Sequence, residues 1–311
     1  MYNVINLLAS SAGQVSDIEG DINSFSIKSV GIATIVLVVL LVLASQVVKD
    51  KKHKKLKKPL FIAIAMTIIL PSLMLAGSTV YVNTISESGG PVHWHTDLEF
   101  WVCGEEIELR DPFEFASNKV GTASYHEHDD KRIHLEGVVI EKDYDASLEK
   151  FMVVIGGAMS SDQLIIPTND DIFENDLDGD VPSGDKSHIQ NFRVRDGDGR
   201  ALLSVKNGDT CSSSSDDEAE IQAFLLRYDK GDDTYSQTKL EEPERYIMRD
   251  ESVVPPGDCV IVEFDREKIR TERLCKQYGV RDSSRCTEFG VKKFNPDLCN
   301  ISEKKTTGGT R

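Results

Sequence analysis

The sequence predicts a two-helix transmembrane hairpin followed by a mainly β (α+β) extracytoplasmic region. Three observations lead to this fold class. Two long apolar runs flank a lysine-rich loop, apolar and polar residues alternate with a period of two after residue 90, and every cysteine follows the second apolar run. Long uncharged runs are typical of helices in a bilayer, whereas a period of two is typical of half-buried strands.

The two apolar runs predict the helices of the hairpin, which we place at residues 29–85. Residues 29–48 carry no formal charge, and at about 1.5 Å per residue they cover the roughly 30 Å of a hydrocarbon core. Residues 59–82 form the second run, in which Pro71 predicts a kink. Runs of this length disfavour a pair of buried core helices, and the acidic residues before the first run disfavour a cleaved signal peptide.

The loop between the runs predicts how the hairpin is oriented. Residues 49–58 carry seven lysines and one aspartate, and short lysine-rich loops stay on the cytoplasmic side. The sequence therefore predicts a cell-membrane protein that contacts the lipid bilayer through two helices. Its loop is cytoplasmic, both termini are extracytoplasmic, and residues 1–28 form the outer N-terminal segment.

The charge of the chain argues against one class of partner. The formal net charge is −16, of which residues 1–28 carry −2 and residues 49–58 carry +6, leaving −20 for residues 59–311. A surface this acidic repels phosphate backbones, so nucleic acid is not an expected partner. The sequence indicates no particular protein partner.

The cysteines agree with an outer location for most of the chain. An even number of cysteines in an extracytoplasmic region predicts disulfides, although the sequence does not determine their pairing. No CxxC motif occurs, which argues against a thioredoxin-like motif or a zinc ribbon. The six are Cys103, Cys211, Cys259, Cys275, Cys286 and Cys299.

The outer region divides by pattern into two β-rich domains and a tail. The predicted domains are residues 90–195, which contain most of the histidines, and residues 197–265. A tail at residues 266–311 holds the last three cysteines and mixes helix and loop. Its first part, residues 266–277, favours a helix because charged residues dominate and neither glycine nor proline interrupts it.

Three segments of the first domain predict the elements that matter most. Residues 92–102 alternate as a half-buried strand. Residues 125–128 and 132–140 predict two strands joined by a tight turn, and residues 147–155 favour a short helix. The polar face of the first strand carries His93, His95, Asp97, Glu99 and Trp101.

Five of the seven histidines lie within 42 residues, on these predicted strands. Side chains at positions i and i+2 of a strand share a face, and a hairpin places His134 opposite the strand of His126 and His128. Imidazole suits zinc or copper, and Glu136, on the face of His134, is a further ligand or orients a histidine. The predicted ligands are His93, His95, His126, His128, His134 and Glu136.

Other interpretations of the histidines remain open. They could form an exposed polar face of a surface interaction module without a metal, or a cluster that senses pH. A metalloenzyme is also open, with three histidines leaving a position for water and Glu136 or Glu99 as general base. The leading hypothesis is zinc or copper bound for metal handling or for structure.

Weaker motifs do not lead to a specific reaction. Residues 93–99 match the HxHxxxE half of the cupin signature, but no second half follows. Asp176, Asp178 and Asp180 have the spacing of a calcium loop without its glycine or closing glutamate, which leaves only loose calcium binding open. No GxSxG motif and no glycine-rich phosphate loop occurs.

The order HxHxxL, HxHD and IHxE resembles a family of uncharacterised membrane-anchored proteins of archaea and bacteria, most closely over residues 93–137. The resemblance implies a histidine-rich outer domain and a β-grasp-like second β unit. It places the family's histidines on the five named above and its acidic residues on Asp129 and Glu136. Asp97 stands where the family has a third early histidine, so Asp97 is a candidate hard ligand.

Overall fold

The computed structural model describes residues 18–49, 54–112, 118–173, 187–211, 218–229, 234–250 and 257–276. Two compact units emerge within these ranges. One is helical, extends to Pro91 and includes Val138–Ile140, and the other contains the remaining β-rich part of the chain. The predicted calcium-loop residues Asp176, Asp178 and Asp180 lie outside the described residues.

The helical unit contains two apolar helices, as predicted. They are α1 (Ile18–Lys49) and α2 (Lys54–Ile85). Within them, Ser24–Val47 and Lys55–Ile85 are long and apolar enough to cross a membrane. Large apolar side chains are exposed along both helices, which suits contact with lipid better than contact with water. Helix α2 continues through Pro71.

The β-rich unit is built from short strands and shorter helices. Its helices are α3 (Lys142–Asp145), α4 (Leu148–Val154) and α5 (Ser187–Gln190). The described strands are β1 (Pro91–Val102), β2 (Glu105–Ile107), β3 (Val120–Gly121), β4 (Tyr125–Glu127), β5 (Arg132–Val138), β6 (Ala158–Met159), β7 (Gln163–Pro167), β8 (Arg193–Arg195), β9 (Ala201–Lys206), β10 (Glu220–Asp229), β11 (Thr234–Leu240) and β12 (Asp258–Asp265).

The larger sheet joins the two halves of the outer region. Over the described residues its strand order is β11-β10-β12-β1-β5-β4-β3, and β2 also pairs with β1. Strands β1 and β12 run parallel, with Leu98 opposite Val260. Every residue of β12 except the last is buried, so this strand needs a neighbour on each side and layers on both faces.

This pairing corrects the predicted domain boundary. Residues 90–195 and 197–265 do not form separate β domains, because β1 and β5 of the first range share a sheet with β10 and β12 of the second. A smaller sheet, in the order β6-β7-β9-β8, likewise takes strands from both ranges. Local alternation predicted the strands, but a parallel pair that joins distant segments is not visible in local alternation.

Helix α4 covers the apolar side of the strands that carry the histidines. Ser147 caps the helix by accepting a hydrogen bond from the Lys150 backbone N–H. Phe151 is fully buried, and its ring lies 5.4 Å from that of Tyr125 on β4. Because neighbouring side chains of a strand point to opposite faces, His126 faces away from this helix. The helix expected at residues 147–155 is confirmed.

Two disulfides connect the described segments, Cys103–Cys211 and Cys259–Cys275. The helix expected at residues 266–277 does not form over the described residues 266–276. There the chain is held on the sheet by long-range contacts: Cys275 is bonded to β12, and Thr271 exchanges backbone hydrogen bonds with the Gln237 side chain. Cys286 and Cys299 lie outside the described residues.

Candidate metal centre

Three neighbouring strands bring the five histidines together. Strands β1, β5 and β4 are adjacent in the larger sheet, and His126 of β4 is directly opposite His134 of β5. His93 and His95 lie on β1, with the buried Trp94 between them pointing to the other face. The first strand therefore lies beside the histidine hairpin.

The histidines form two groups of three that share one member. In each group the potential ligand nitrogens all lie within 4.8 Å of one another. His126, His128 and His134 form what we call the buried triad, because His126 is fully buried and His134 is 8% exposed. His93, His95 and His134 form the exposed triad, in which the His93 side chain is 59% exposed.

One ring of the buried triad is already oriented as a ligand. His128 Nδ1 lies 3.2 Å from the Asn118 carbonyl oxygen, to which it donates a hydrogen bond, so His128 Nε2 carries the lone pair. His126 Nε2 lies 3.1 Å from His128 Nε2. In a tetrahedral zinc site with bonds of about 2.0–2.1 Å, two ligand nitrogens are about 3.3 Å apart. The two nitrogens therefore need only a small adjustment to share an ion.

The electrostatics of the buried triad also suit a metal ion. Burial lowers the pKa of His126 to about 4, and the neighbouring Lys119 and His128 contribute to the shift. A neutral imidazole offers the lone pair that a metal requires. His126 Nδ1 is buried and makes no hydrogen bond within the described part of the chain. This ring is held in place by packing, in a direction that points Nε2 at the other histidines.

The exposed triad has a carboxylate beside it. His93 Nε2 lies 3.1 Å from Glu136 Oε1, and the Lys119 ammonium lies 3.7 Å from the other carboxylate oxygen. Burial alone would raise the pKa of Glu136, but Lys119 and the histidines hold it below its usual value. The ring centroids of His95 and His134 are 4.7 Å apart. Glu136 thus lies in contact with the cluster, as the sequence predicted.

A strained turn holds the shared histidine. His134 Nε2 lies 3.1 Å from Asp130 Oδ2. Asp129 and Lys131, on either side of Asp130, have φ angles of 65° and 58°, which only a few per cent of non-glycine residues adopt. The buried Glu127 carboxylate stabilises this turn by accepting hydrogen bonds from the backbone N–H groups of Asp130 and Lys131.

Asp130 is the residue that sequence reasoning missed. The resemblance assigned the acidic role to the neighbouring Asp129, whereas in the structure Asp130 contacts a histidine. Burial would raise the pKa of Asp130, but the hydrogen bond from His134 and nearby positive charge lower it below the usual value. The four-residue spacing of Asp130 and His134 across a tight turn is a signal that could have identified the pair.

Asp97 has a different partner from the one expected. It lies outside both triads, and its buried carboxylate accepts a hydrogen bond of 2.8 Å from Arg132 Nε. Burial raises the pKa of Asp97 to about 7, in opposition to the Arg132 charge. A guanidinium on the next strand thus binds one carboxylate oxygen of Asp97, whereas the other, Oδ2, is buried without a hydrogen-bond partner among the described residues.

Glu99, the other proposed general base, also lies in a different environment. Its carboxylate accepts hydrogen bonds from the Trp101 indole N–H and from the Lys276 backbone N–H. Burial raises its pKa. These contacts tie Glu99 to the segment that follows β12, so of the two proposed general bases Glu136 is the one that lies beside the histidines.

Comparisons with known proteins assign neither a family nor a function to this chain. No known protein family, no curated protein and no solved structure matches this chain. The functional argument therefore rests on the geometry of the two triads and on the chemistry of their side chains.

Proposed function

We propose that the protein is a membrane-anchored, extracytoplasmic protein that binds a transition metal, zinc or copper, through its histidine cluster. The protein either handles the bound metal or uses it to stabilise the structure of the domain. The metal has no role in catalysis. The two apolar helices anchor the chain in the cell membrane, with both termini outside and the lysine-rich loop in the cytoplasm. The resemblance to membrane-anchored archaeal and bacterial proteins with the same histidine order is part of this proposal.

The observation that carries the proposal is the arrangement of the buried triad. Two ring nitrogens face each other at 3.1 Å, one ring is oriented by a backbone carbonyl, and burial keeps another ring neutral. An exposed polar strand face would not need three buried or half-buried imidazoles whose nitrogens lie within 4.8 Å of one another. Neutral nitrogen ligands with oriented outer partners are typical of zinc and copper sites.

Metal analysis of the full-length protein in detergent tests this function. The wild-type protein should retain zinc or copper after dialysis, and His134→Ala should lose it because both triads contain His134. His53→Ala in the lysine-rich loop, far from the cluster in sequence, is the matched control and should retain the metal. Near-zero metal in the wild-type protein, even after loading, would contradict metal binding and leave a surface interaction module as the better hypothesis.

The orientation has an independent test. A cysteine introduced in place of Lys52 should resist a membrane-impermeant thiol reagent in intact cells and react after the cells are opened. The basis is the strong positive charge of residues 49–58, which favours the cytoplasmic side. Labelling of the intact cells would overturn the proposed topology without affecting the metal hypothesis.

A second candidate function follows from the exposed triad. Three histidines leave a fourth position for water in catalytic zinc sites, and Glu136 lies 3.1 Å from His93, a member of this triad. Hydrolysis of an activated ester by the zinc-loaded protein, lost in Glu136→Gln with zinc content unchanged, would favour a metalloenzyme. Equal rates for Glu136→Gln and the wild type would exclude Glu136 as the general base.

A further inference from the structure

His134 belongs to both triads, but it offers one nitrogen for a metal. Its Nε2 lies 3.1 Å from Asp130 Oδ2, and an ionised carboxylate only accepts hydrogen bonds. The Nε2 proton therefore points at Asp130, which leaves the lone pair on Nδ1. Because one lone pair binds one metal ion, the two triads compete for the same ligand atom.

The two triads differ in how far their side chains are exposed to solvent, and so in how readily a bound ion reaches solvent. The buried triad contains His126, which is fully buried, whereas the exposed triad contains His93, whose side chain is 59% exposed. The shared ring lies nearer to His126 than to His93, with centroid distances of 5.5 Å and 6.5 Å, but about equally near to one histidine of each triad. Its centroid is 4.7 Å from that of His95 and 4.6 Å from that of His128, both in edge-to-face orientation.

We propose that a single ion moves between the two triads about His134, so that the exposed triad exchanges metal with solvent or a donor and the buried triad retains it. This inference rests on the proposed metal binding and goes beyond it, because it assigns the cluster a transfer step. The histidine pairs that differ between the positions lie on β1 and at the end of β4, on either side of the strand that carries His134. The ring centroids of His95 and His128 each lie within 4.7 Å of that of His134, so the ion passes between neighbouring coordination shells without a rearrangement of the sheet.

The step balances as a ligand exchange. The bonds from the ion to His93 and His95 break as bonds to His126 and His128 form, while the bond to His134 is kept. All of these ligands are neutral imidazoles, so the charge and oxidation state of the ion do not change. His128 carries its proton on Nδ1, towards Asn118, so the proton between the two Nε2 atoms belongs to His126 and passes to His126 Nδ1 when the ion binds.

Zinc stoichiometry and zinc release test the proposal, with the full-length protein in detergent and Zn²⁺ alone as the probe. The wild type should bind one zinc per chain even with excess metal. The pair His93→Ala/His95→Ala should still bind one zinc, with loading and release to a chromophoric chelator about tenfold slower or more. The pair His126→Ala/His128→Ala should release zinc about tenfold faster or more, because only the exposed triad then holds the ion and loss of even an outer partner weakens metal sites by about 10–100-fold.

The outcomes separate this proposal from metal binding itself. Two zinc ions per wild-type chain would overturn it, because both positions would then be filled at once without competing for His134. Equal release rates from the two double variants, or loss of zinc from both, would also overturn it in favour of one undivided site. Glutamine replacements at the same positions, with circular dichroism as the fold control, distinguish loss of a ligand from loss of structure. An absence of both zinc and copper from the wild type, after loading with either ion, would refute the proposed function instead.

Discussion

Replacing Asp130 with asparagine should weaken zinc binding while leaving all five histidines in place. The carboxylate of Asp130 accepts a hydrogen bond of 3.1 Å from His134 Nε2. It fixes the tautomer of the shared ring and makes its other nitrogen a better ligand. A neutral amide of the same shape keeps the contact but loses the charge, so the variant isolates the electrostatic contribution of the carboxylate.

The expected loss of zinc affinity follows from the solvent exposure of Asp130 and His134. Loss of an outer partner of a metal-bound histidine costs about 10–100-fold in affinity. The Asp130 side chain is 35% exposed and that of His134 is 11% exposed, so solvent screens the pair and the lower end of the range applies. We expect the Kd for zinc to rise about tenfold, which is about 1.4 kcal/mol. Folding should change by less than about 1 kcal/mol, as for other exposed pairs.

A competition titration of the full-length protein against a chromophoric zinc chelator, at fixed pH and salt, measures this change. Asp129→Asn is the matched control, because it removes the same charge one residue away. The φ of 65° at Asp129 is a conformation that asparagine tolerates. An unchanged Kd in Asp130→Asn would refute the role of the carboxylate. Equal weakening in both variants would show that only the overall charge of the turn matters.

Three further predictions concern the scaffold of the site. Glu127→Ala should lower the free energy of unfolding by about 1–3 kcal/mol in chemical denaturation, because two backbone N–H groups lose their buried acceptor; no change would show that the turn holds without the carboxylate. Gly157→Ala should cost about 1–3 kcal/mol, since the new Cβ would lie 2.4 Å from a backbone carbonyl oxygen. Gly197→Ala, where the Cβ meets nothing within 4 Å, is its matched control, and equal stabilities would contradict the steric argument. Changing Cys259 and Cys275 together to alanine should cost about 3 kcal/mol for a loop of this length, measured as a lower thermal midpoint; an unchanged midpoint would mean that the segment after β12 is held by its other contacts.

Much of the site could be predicted from local pattern. A period of two placed His93 and His95 on one face of a strand, and the hairpin around residue 130 set His134 opposite His126, as the register has it. Both inferences need only the geometry of a strand and a tight turn. The contact of Glu136 with the cluster follows from the same reasoning, because Glu136 shares a face with His134.

Other features depend on contacts between residues that are distant in sequence, which a local pattern does not reveal. Asp97 has the alternation of a ligand, but Arg132 on a neighbouring strand binds it. The charged segment that starts at residue 266 has the composition of a helix, yet a disulfide and a hydrogen bond to β11 hold its described part in an irregular conformation. In both cases a partner that is distant in sequence outweighs a local preference.

The sequence by itself determined the two apolar helices, the β character of the outer region and the alternating faces that carry the histidines. These features follow from hydrophobic length and periodicity, which act over neighbouring residues. Only the tertiary structure decided that β1 pairs with β12 and that His134 lies between two triads. It also decided that Asp130, and not Asp129, contacts His134, because strand pairing and turn geometry select the groups that meet.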